Sequence, residues 1–169
     1  MPKIDVNEQL FFNLLGRKYD YSSEFEHLLS SAKAELDEAP SAAASQDERI
    51  IKIELNDTNR PDLWSTAGLA RLLRMHTGGA SNKARYQAFL STVGERKNSG
   101  NRTITVAPAL QHIRPFMTAF VISGKPIDDA MLKDIIQTQE KLCWNFGRKR
   151  RSVSMGVYRS ELINWPVQY

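Results

Sequence analysis

Two stretches near the start of the chain repeat apolar residues at the three-and-four spacing of an amphipathic helix. The first predicts a helix from about Asp5, with Asp5 as its cap, to a stop at Gly16. The second predicts a helix from Ser23 to about residue 36. Together they predict an N-terminal helical hairpin whose apolar faces carry Val6, Leu10 and Leu14 in one helix and Phe25, Leu28, Leu29, Ala32 and Leu36 in the other.

Other stretches have the spacing or composition of β-strands. Apolar and polar residues alternate over 51–55, which predicts a half-buried strand. The β-branched residues at 103–106 predict a second, short strand, and 116–122 predicts a more buried one. Residues 152–158 are also strand-like.

Two more helices are predicted after the strand at 51–55. One begins at about Leu63, capped by Asp62 or Ser65, and is broken at Gly78-Gly79; the polar, basic residues after it, within 77–102, predict a flexible excursion. The longest helix is capped by Asp128 and ends at Gly147. Its apolar stripe consists of Met131, Leu132, Ile135, Ile136, Leu142, Cys143 and Phe146.

Helices and strands mix along the chain without regular alternation, which predicts the α+β class. The expected architecture is the N-terminal helical hairpin, short mixed strands and the long C-terminal helix packed on a small sheet. Composition agrees, since 41% of the 169 residues are hydrophobic and 25% are charged, as in an ordinary globular protein.

The formal net charge of +4 conceals a strong segregation of charge. Residues 1–48 hold ten acidic and four basic side chains, whereas 49–127 hold twelve basic and four acidic ones. The last segment, 141–169, holds six basic side chains and one acidic one. A basic middle and a basic end favour an anionic partner, although a solvated basic face is the simpler interpretation.

The chemistry of common active sites is not recognisable in the sequence. The single cysteine, Cys143, lies in an apolar stripe and is predicted to be a core residue, and the three histidines have no metal-ligand spacing. No apolar run is long enough to span a membrane. We therefore expect no catalytic residue, metal or cofactor in this segment, and a reduced, cytoplasmic setting.

One run of residues is specific enough to indicate a family. The segment Asn59-Arg60-Pro61-Asp62, followed by Gly68 and Ala70-Arg71, resembles the strand-to-helix motif near the N-terminus of the beta subunit of phenylalanyl-tRNA synthetase. Other segments resemble the archaeal and eukaryotic type of that subunit, which some bacteria also carry, and they follow the same order along the chain. These segments are Leu14 to Tyr19, Ala34 to Asp37, Ile113 to Phe116, Leu132 to Leu142 and Gly147 to Tyr158.

The resemblance implies a division of the chain and a parent enzyme. Residues 1–110 would be the N-terminal module of the beta subunit, and 111–169 would begin its editing region, which the chain does not complete. The parent enzyme is a ligase that charges tRNA(Phe) with phenylalanine, using ATP and magnesium, as an (αβ)₂ assembly with a synthetase alpha subunit. Its aminoacylation site belongs to the alpha subunit, so the segment itself would not be catalytic.

Two groups of residues carry the site predictions. Asn59, Arg60 and Asp62 are predicted to have a structural role, with Arg60 forking onto a carboxylate or carbonyl groups to hold the turn. The run Arg148, Lys149, Arg150 and Arg151 is a candidate RNA contact, with a solvated helix end as the competing interpretation.

The expected partners are the alpha subunit and tRNA(Phe), with neither DNA nor a membrane. A freestanding RNA-binding or adaptor protein remains the alternative, and an autonomous editing hydrolase is a weaker one.

Overall fold

The chain folds into two compact units in a computed structural model that describes residues 3–56, 59–93, 100–124 and 126–169. The first unit comprises residues 1–88 and 127–156, and the second comprises 89–126 and 157–169. Both units are built from segments that are distant in sequence. The domain boundary expected at residue 110 rested on the resemblance to a longer subunit, and it stays a prediction.

The first unit contains an antiparallel sheet of three strands. The strands are β1 (Lys3–Asn7), β2 (Ala34–Glu38) and β3 (Ile50–Leu55), and β3 lies in the centre with β1 on one side and β2 on the other. Val6 lies opposite Ile51, and Ile4 lies opposite Ile53. Because side chains alternate between the faces of a strand, Ile4 and Val6 of β1 and Ile51, Ile53 and Leu55 of β3 point into the core, where they are fully buried. The half-buried strand predicted over 51–55 is confirmed.

The helical hairpin is confirmed, with shorter helices than predicted. Helix α1 (Glu8–Leu15) begins after Asn7, whose Oδ1 accepts a hydrogen bond from the Leu10 N–H at 2.9 Å, and it ends at Gly16 with a left-handed φ of 85°. Asp5 is therefore not its cap: Ile4 and Val6 alternate with polar residues, and pairing with β3 draws this segment into a strand. Helix α2 (Ser23–Ser30) stops before residue 36 because Ala34–Glu38 also pair with β3.

Aromatic rings fill the space between the two helices and the sheet. The Phe25 ring lies 6.3 Å from the Phe11 ring and 5.8 Å from the Phe12 ring, measured between centroids, and Tyr19 and Tyr21 pack on its other sides. Tilted and edge-on pairs at these separations are favourable beyond the apolar area that they bury. The core of this unit is therefore dense and rich in aromatic residues.

Helix α3 (Thr66–Val93) is much longer than the predicted helix. Gly79 has φ 61° and ψ −147°, so the glycine pair kinks the helix at the expected place. The chain resumes helical structure beyond the kink, through Val93. The excursion predicted over 77–102 therefore includes helical residues, and its flexibility stays a prediction. Residues 94–99 lie outside the described ranges.

Helix α4 (Asp129–Lys141) holds together parts of the first unit that are distant in sequence. Asp128 caps it, as predicted, by accepting a hydrogen bond from the Met131 N–H at 2.8 Å. The Gln137 amide donates to the Asp5 carbonyl and accepts from the Asp5 N–H, at 3.0 and 2.8 Å. Asp134 accepts from the Thr66 N–H at 2.9 Å, at the start of α3. The α+β class and the long helix on a small sheet are thereby confirmed.

The second unit contains little regular structure. Strand β4 (Ile104–Thr105) pairs in parallel with β5 (Val167–Gln168), and a short 3₁₀ helix spans Pro108–His112. Residues 116–122, which are all described, adopt no regular secondary structure, and the Phe116 side chain is 93% exposed. The buried strand predicted there is wrong, because an apolar run becomes a strand only where a neighbouring strand accepts its hydrogen bonds. Residues 152–158 likewise form no strand in the described structure.

Candidate functional site

The Asn59-Arg60-Pro61-Asp62 turn is held by a fork between two of its own side chains. The Arg60 Nε and Nη2 atoms donate to the two carboxylate oxygens of Asp62 at 2.9 and 2.8 Å. The Arg60 guanidinium lowers the pKa of the Asp62 carboxyl, and Arg71, 4.0 Å away, acts in the same direction. The three predicted site residues Asn59, Arg60 and Asp62 are all exposed. The geometry is that of a braced turn.

The turn is joined tightly to the start of α3. Ser65, rather than Asp62, caps the helix: its Oγ accepts a hydrogen bond from the Gly68 N–H at 3.0 Å. A Cβ at Gly68 would overlap the Asp62 carbonyl oxygen, so only glycine allows the helix to approach the turn this closely. The close approach of Gly68 to the Asp62 carbonyl therefore accounts for the glycine in the motif.

The end of α4 is the most unusual piece of backbone in the first unit. A π-helical turn, Leu142–Phe146, continues α4. The chain then reverses, so that the N–H groups of residues 147–150 donate to the carbonyl oxygens of residues 142–145 at 2.7 to 3.2 Å. These bonds satisfy the carbonyl groups that a helix end otherwise leaves without partners.

The basic run forms this reversal. Arg148, Lys149 and Arg150 have φ values of 49°, 58° and 66°, three consecutive non-glycine residues in the left-handed region. Each such residue costs about 1–2 kcal/mol relative to the right-handed conformation. Arg151 lies outside the left-handed region. Backbone strain therefore coincides with the densest positive charge in the chain.

Gly147 and Cys143 fix the reversal from the inside. A Cβ at Gly147 would overlap the carbonyl oxygens of Val153 and Cys143. The Cys143 Sγ accepts a hydrogen bond from the Met155 N–H at 3.1 Å and is fully buried. Cys143 is thus a core residue, as predicted, and the segment after the basic run is anchored to α4 through it.

The side chains at this end of α4 face solvent. Arg148, Lys149, Arg150 and Arg151 are all exposed. Arg150 pairs with Glu140 at 2.6 Å. The Trp144 and Phe146 side chains are 55% and 57% exposed.

The expectation that Phe146 belongs to a buried stripe is therefore wrong. Residues 142–146 form a π-helical turn, so the α-helical spacing on which the stripe was predicted does not hold there. The Lys149 ammonium lies over the Trp144 ring, 5.6 Å from its centroid. Basic and aromatic side chains share one exposed surface.

A separate cleft of about 850 Å³ in the first unit has the opposite charge. It lies beside β1 and the first turns of α4, and its charged lining residues are Asp5, Glu48, Asp128, Asp129, Lys133 and Asp134. Five carboxylates against one ammonium repel a phosphate backbone. In the ranges that the structure describes, no three His, Cys, Asp or Glu side chains come together as a metal-binding group would require.

A buried ion pair near the sheet could not be foreseen from the sequence pattern. Glu8 accepts hydrogen bonds from the Arg49 Nε and Nη2 atoms, at 2.7 and 3.0 Å, and from the Tyr21 hydroxyl at 2.5 Å. The Arg49 hydrogen bonds lower the pKa of Glu8, whereas burial and the bond to Glu8 raise the pKa of Tyr21. These hydrogen bonds link the start of α1, the turn before α2 and the start of β3.

Comparison with known proteins identifies the family of this module. The profile described as the Phe-tRNA synthetase beta subunit B1 domain matches residues 1–79. The chain is 45% identical over its whole length to the phenylalanine–tRNA ligase beta subunit of Treponema pallidum, and 40% identical to that of Borreliella burgdorferi. Residues 1–79 thus match the B1 domain of the phenylalanyl-tRNA synthetase beta subunit, and the whole chain is similar to beta subunits of that enzyme. The chain covers 33% and 28% of those two relatives, so it spans about a third of the length of the curated relatives it matches.

The fold is also similar to that of a beta-subunit fragment. A crystal structure of an N-terminal fragment of the phenylalanyl-tRNA synthetase beta subunit from Pyrococcus horikoshii superposes with a TM-score of 0.77 and 31% sequence identity. The similarity covers 99% of this chain and 45% of the other. The braced turn at 59–62 lies inside the B1-domain match, whereas the basic run lies beyond it. No helix in the described ranges is both long and apolar enough to cross a membrane.

Proposed function

We propose that this chain serves as the N-terminal part of the beta subunit of a cytoplasmic phenylalanine–tRNA ligase. In the complete enzyme the beta subunit joins a synthetase alpha subunit in an (αβ)₂ assembly. That assembly charges tRNA(Phe) with phenylalanine, and the ATP and magnesium are used outside this segment. The observation that carries the proposal is the alignment of the whole chain with curated beta subunits at 40–45% identity.

Within that enzyme, we assign two tasks to the segment. The first unit acts as a structural module, and the dense aromatic core, the Glu8–Arg49 pair and the braced turn all favour a rigid platform. The basic run Arg148–Arg151 contacts tRNA. Its exposure and its four positive charges support this contact, because charged side chains that neutralise phosphates supply most of the nonspecific affinity for nucleic acid.

The contact is tested in the assembled ligase by replacing all four basic residues with serine. Binding of tRNA(Phe) is measured across a salt series. Each lost phosphate contact lowers the slope of log affinity against log salt by about 0.7–0.9, so four contacts lower it by about 3. An unchanged affinity and an unchanged slope would refute the contact.

A matched variant removes the same charge elsewhere. Serine at Lys18, Lys83, Arg85 and Arg102, which are all exposed, lowers the net charge equally without touching the basic run. We expect this control to shift the salt slope by less than 1. If both variants weaken binding equally, the effect belongs to net charge alone.

Aminoacylation by the assembled ligase separates this proposal from the alternative of a freestanding RNA-binding or adaptor protein. A subunit that carries this segment is expected to co-purify with an alpha subunit and to support phenylalanine transfer to tRNA(Phe). RNA binding by the 169-residue protein, together with failure to associate with any alpha subunit, would favour the alternative.

A further inference from the structure

We propose that Trp144 and the basic run form a binding site for an unpaired RNA nucleotide, whose base stacks on the indole while Arg148, Lys149 and Arg151 hold the flanking phosphates. The inference rests on the proposed function and deepens it, since it specifies the form of RNA that this surface accepts. A duplex has no free base to offer, whereas a loop or a single-stranded end does.

The first argument is the exposure of an aromatic surface beside the charges. Trp144 is 55% exposed, although the neighbouring Cys143 is fully buried. Aromatic side chains that line a basic surface are the usual platform for single-stranded nucleic acid, because every base has a face that can stack. Charge alone, without the indole, would favour any polyanion equally.

The second argument is that the indole face already holds a cation. The Lys149 ammonium lies 5.6 Å from the ring centroid. This cation–π contact shows that the face is open to a group of that size. A stacked base takes the place of the ammonium on the ring, and Lys149 then turns toward the adjacent phosphate.

The third argument is that the backbone fixes these groups relative to one another. The Lys149 N–H donates to the Trp144 carbonyl oxygen at 2.8 Å, and the Arg148 N–H donates to the Asn145 carbonyl oxygen at 3.2 Å. The left-handed reversal therefore brings the backbone of Arg148 and Lys149 back to the turn that carries Trp144, although these residues follow it in sequence by four and five positions. A regular helix would carry them onward along its axis by 1.5 Å per residue.

The test measures RNA binding by the full 169-residue chain with two probes, a 12-nucleotide single-stranded RNA and a 12-base-pair RNA duplex. Trp144→Ala is expected to weaken binding of the single strand by about tenfold, because loss of one stacked base has an effect of that order. It is expected to leave duplex binding within twofold. Trp144→Phe keeps an aromatic face and is expected to retain most of the affinity.

Fluorescence gives a second readout of stacking. Trp64 is buried, and Trp165→Phe removes the other partly exposed tryptophan, so the remaining quenchable signal comes from Trp144. The single-stranded probe is expected to quench this signal, and the duplex is expected to leave it largely unchanged.

Phe116→Ala is the matched control for the affinity measurement, because it removes an aromatic side chain that is even more exposed than Trp144. This variant is expected to bind the single strand and the duplex as tightly as the wild type.

The outcomes separate this inference from the proposed tRNA contact. Equal single-strand affinity for Trp144→Ala and the wild type, without quenching, overturns the stacking site, and the contact through the basic run stands if the four-serine variant still loses affinity. If that variant binds both RNA probes like the wild type, the contact fails as well. Binding of an acidic peptide of equal charge as tightly as the single strand would also overturn the assignment to RNA.

Discussion

Replacing Arg148 by glycine measures the strain in the basic run. The Arg148 φ of 49° lies in the left-handed region, where the Cβ of an ordinary residue crowds the following carbonyl oxygen at a cost of about 1–2 kcal/mol. Glycine removes the Cβ but loses more backbone entropy on folding, by about 0.5–1 kcal/mol. The side chain is exposed, so little packing is lost. We expect Arg148→Gly to raise the free energy of unfolding by about 0.5–1 kcal/mol.

Urea denaturation followed by circular dichroism checks this value. A gain of this size raises the melting temperature by about 1–4 °C in a chain of this length. The same variant removes one candidate phosphate contact, so the salt slope of RNA binding is expected to fall by about 0.7–0.9. Arg148→Gly is therefore expected to be more stable than the wild type and to bind RNA less tightly.

Arg151→Gly is the matched control, because Arg151 belongs to the same run, is exposed and lies outside the left-handed region. Glycine there relieves no strain and is expected to lower the free energy of unfolding by about 0.5 kcal/mol. If the two variants change stability in the same direction and by the same amount, the strain argument is wrong. If Arg148→Gly stabilises the protein and leaves RNA binding unchanged, the strain argument stands and the phosphate contact of Arg148 is refuted.

Three further changes test the packing that supports the site. Gly147→Ala forces a Cβ against two carbonyl oxygens and is expected to lower the free energy of unfolding by about 1–3 kcal/mol in urea titration, whereas an unchanged value would refute the close approach. Ser65→Ala removes the cap of α3 and is expected to cost about 0.5–2 kcal/mol in the same assay, which Ser65→Asp should largely avoid. Glu8→Gln weakens the charged hydrogen bonds from Arg49 and is expected to cost about 2 kcal/mol at pH 7. Because folding lowers the pKa of Glu8, its contribution is present above its ordinary value of 4.5 and is lost as pH falls through the folded value, so the cost should shrink in titrations at lower pH.

The strands and helix caps that depend on local spacing were predictable from the sequence. The alternation at 51–55 predicted β3, Gly16 ended α1, and Asp128 capped α4. Gly16 and Asp128 act through hydrogen bonds that span three or four residues, whereas the alternation predicted β3 without naming the strands that pair with it. The burial of Cys143 also followed from its place in an apolar stripe.

Pairing partners decided the elements that the sequence pattern missed. Val6 fits a helical repeat with Leu10 and also fits a strand alternation with Ile4, and pairing with β3 selects the strand. The apolar residues 116–122 have strand composition without a described strand beside them. Local spacing carries no information about a partner that is fifty residues away.

The candidate site was predictable in its charge but not in its geometry. Four consecutive basic residues are obvious in the sequence, and the tight match at 59–71 identified the family. The exposure of Phe146 was not predictable from α-helical spacing, because residues 142–146 form a π-turn. The reversal after it depends on the contacts of Gly147 and Cys143 with residues 153–155. None of these contacts leaves a periodic trace in the sequence.

The coincidence of strain and charge in the basic run has no explanation in folding alone. The hydrogen bonds of the reversal use backbone N–H groups, which glycine would supply without the left-handed cost. The ion pair of Arg150 with Glu140 is exposed, and pairs of this kind contribute only about 0–1 kcal/mol. Adjacent cations also repel one another. Both the strain and the repulsion oppose the folded state, and an anionic partner relieves the repulsion. The proposed RNA contact would supply that anionic partner for the side chains at 148–151.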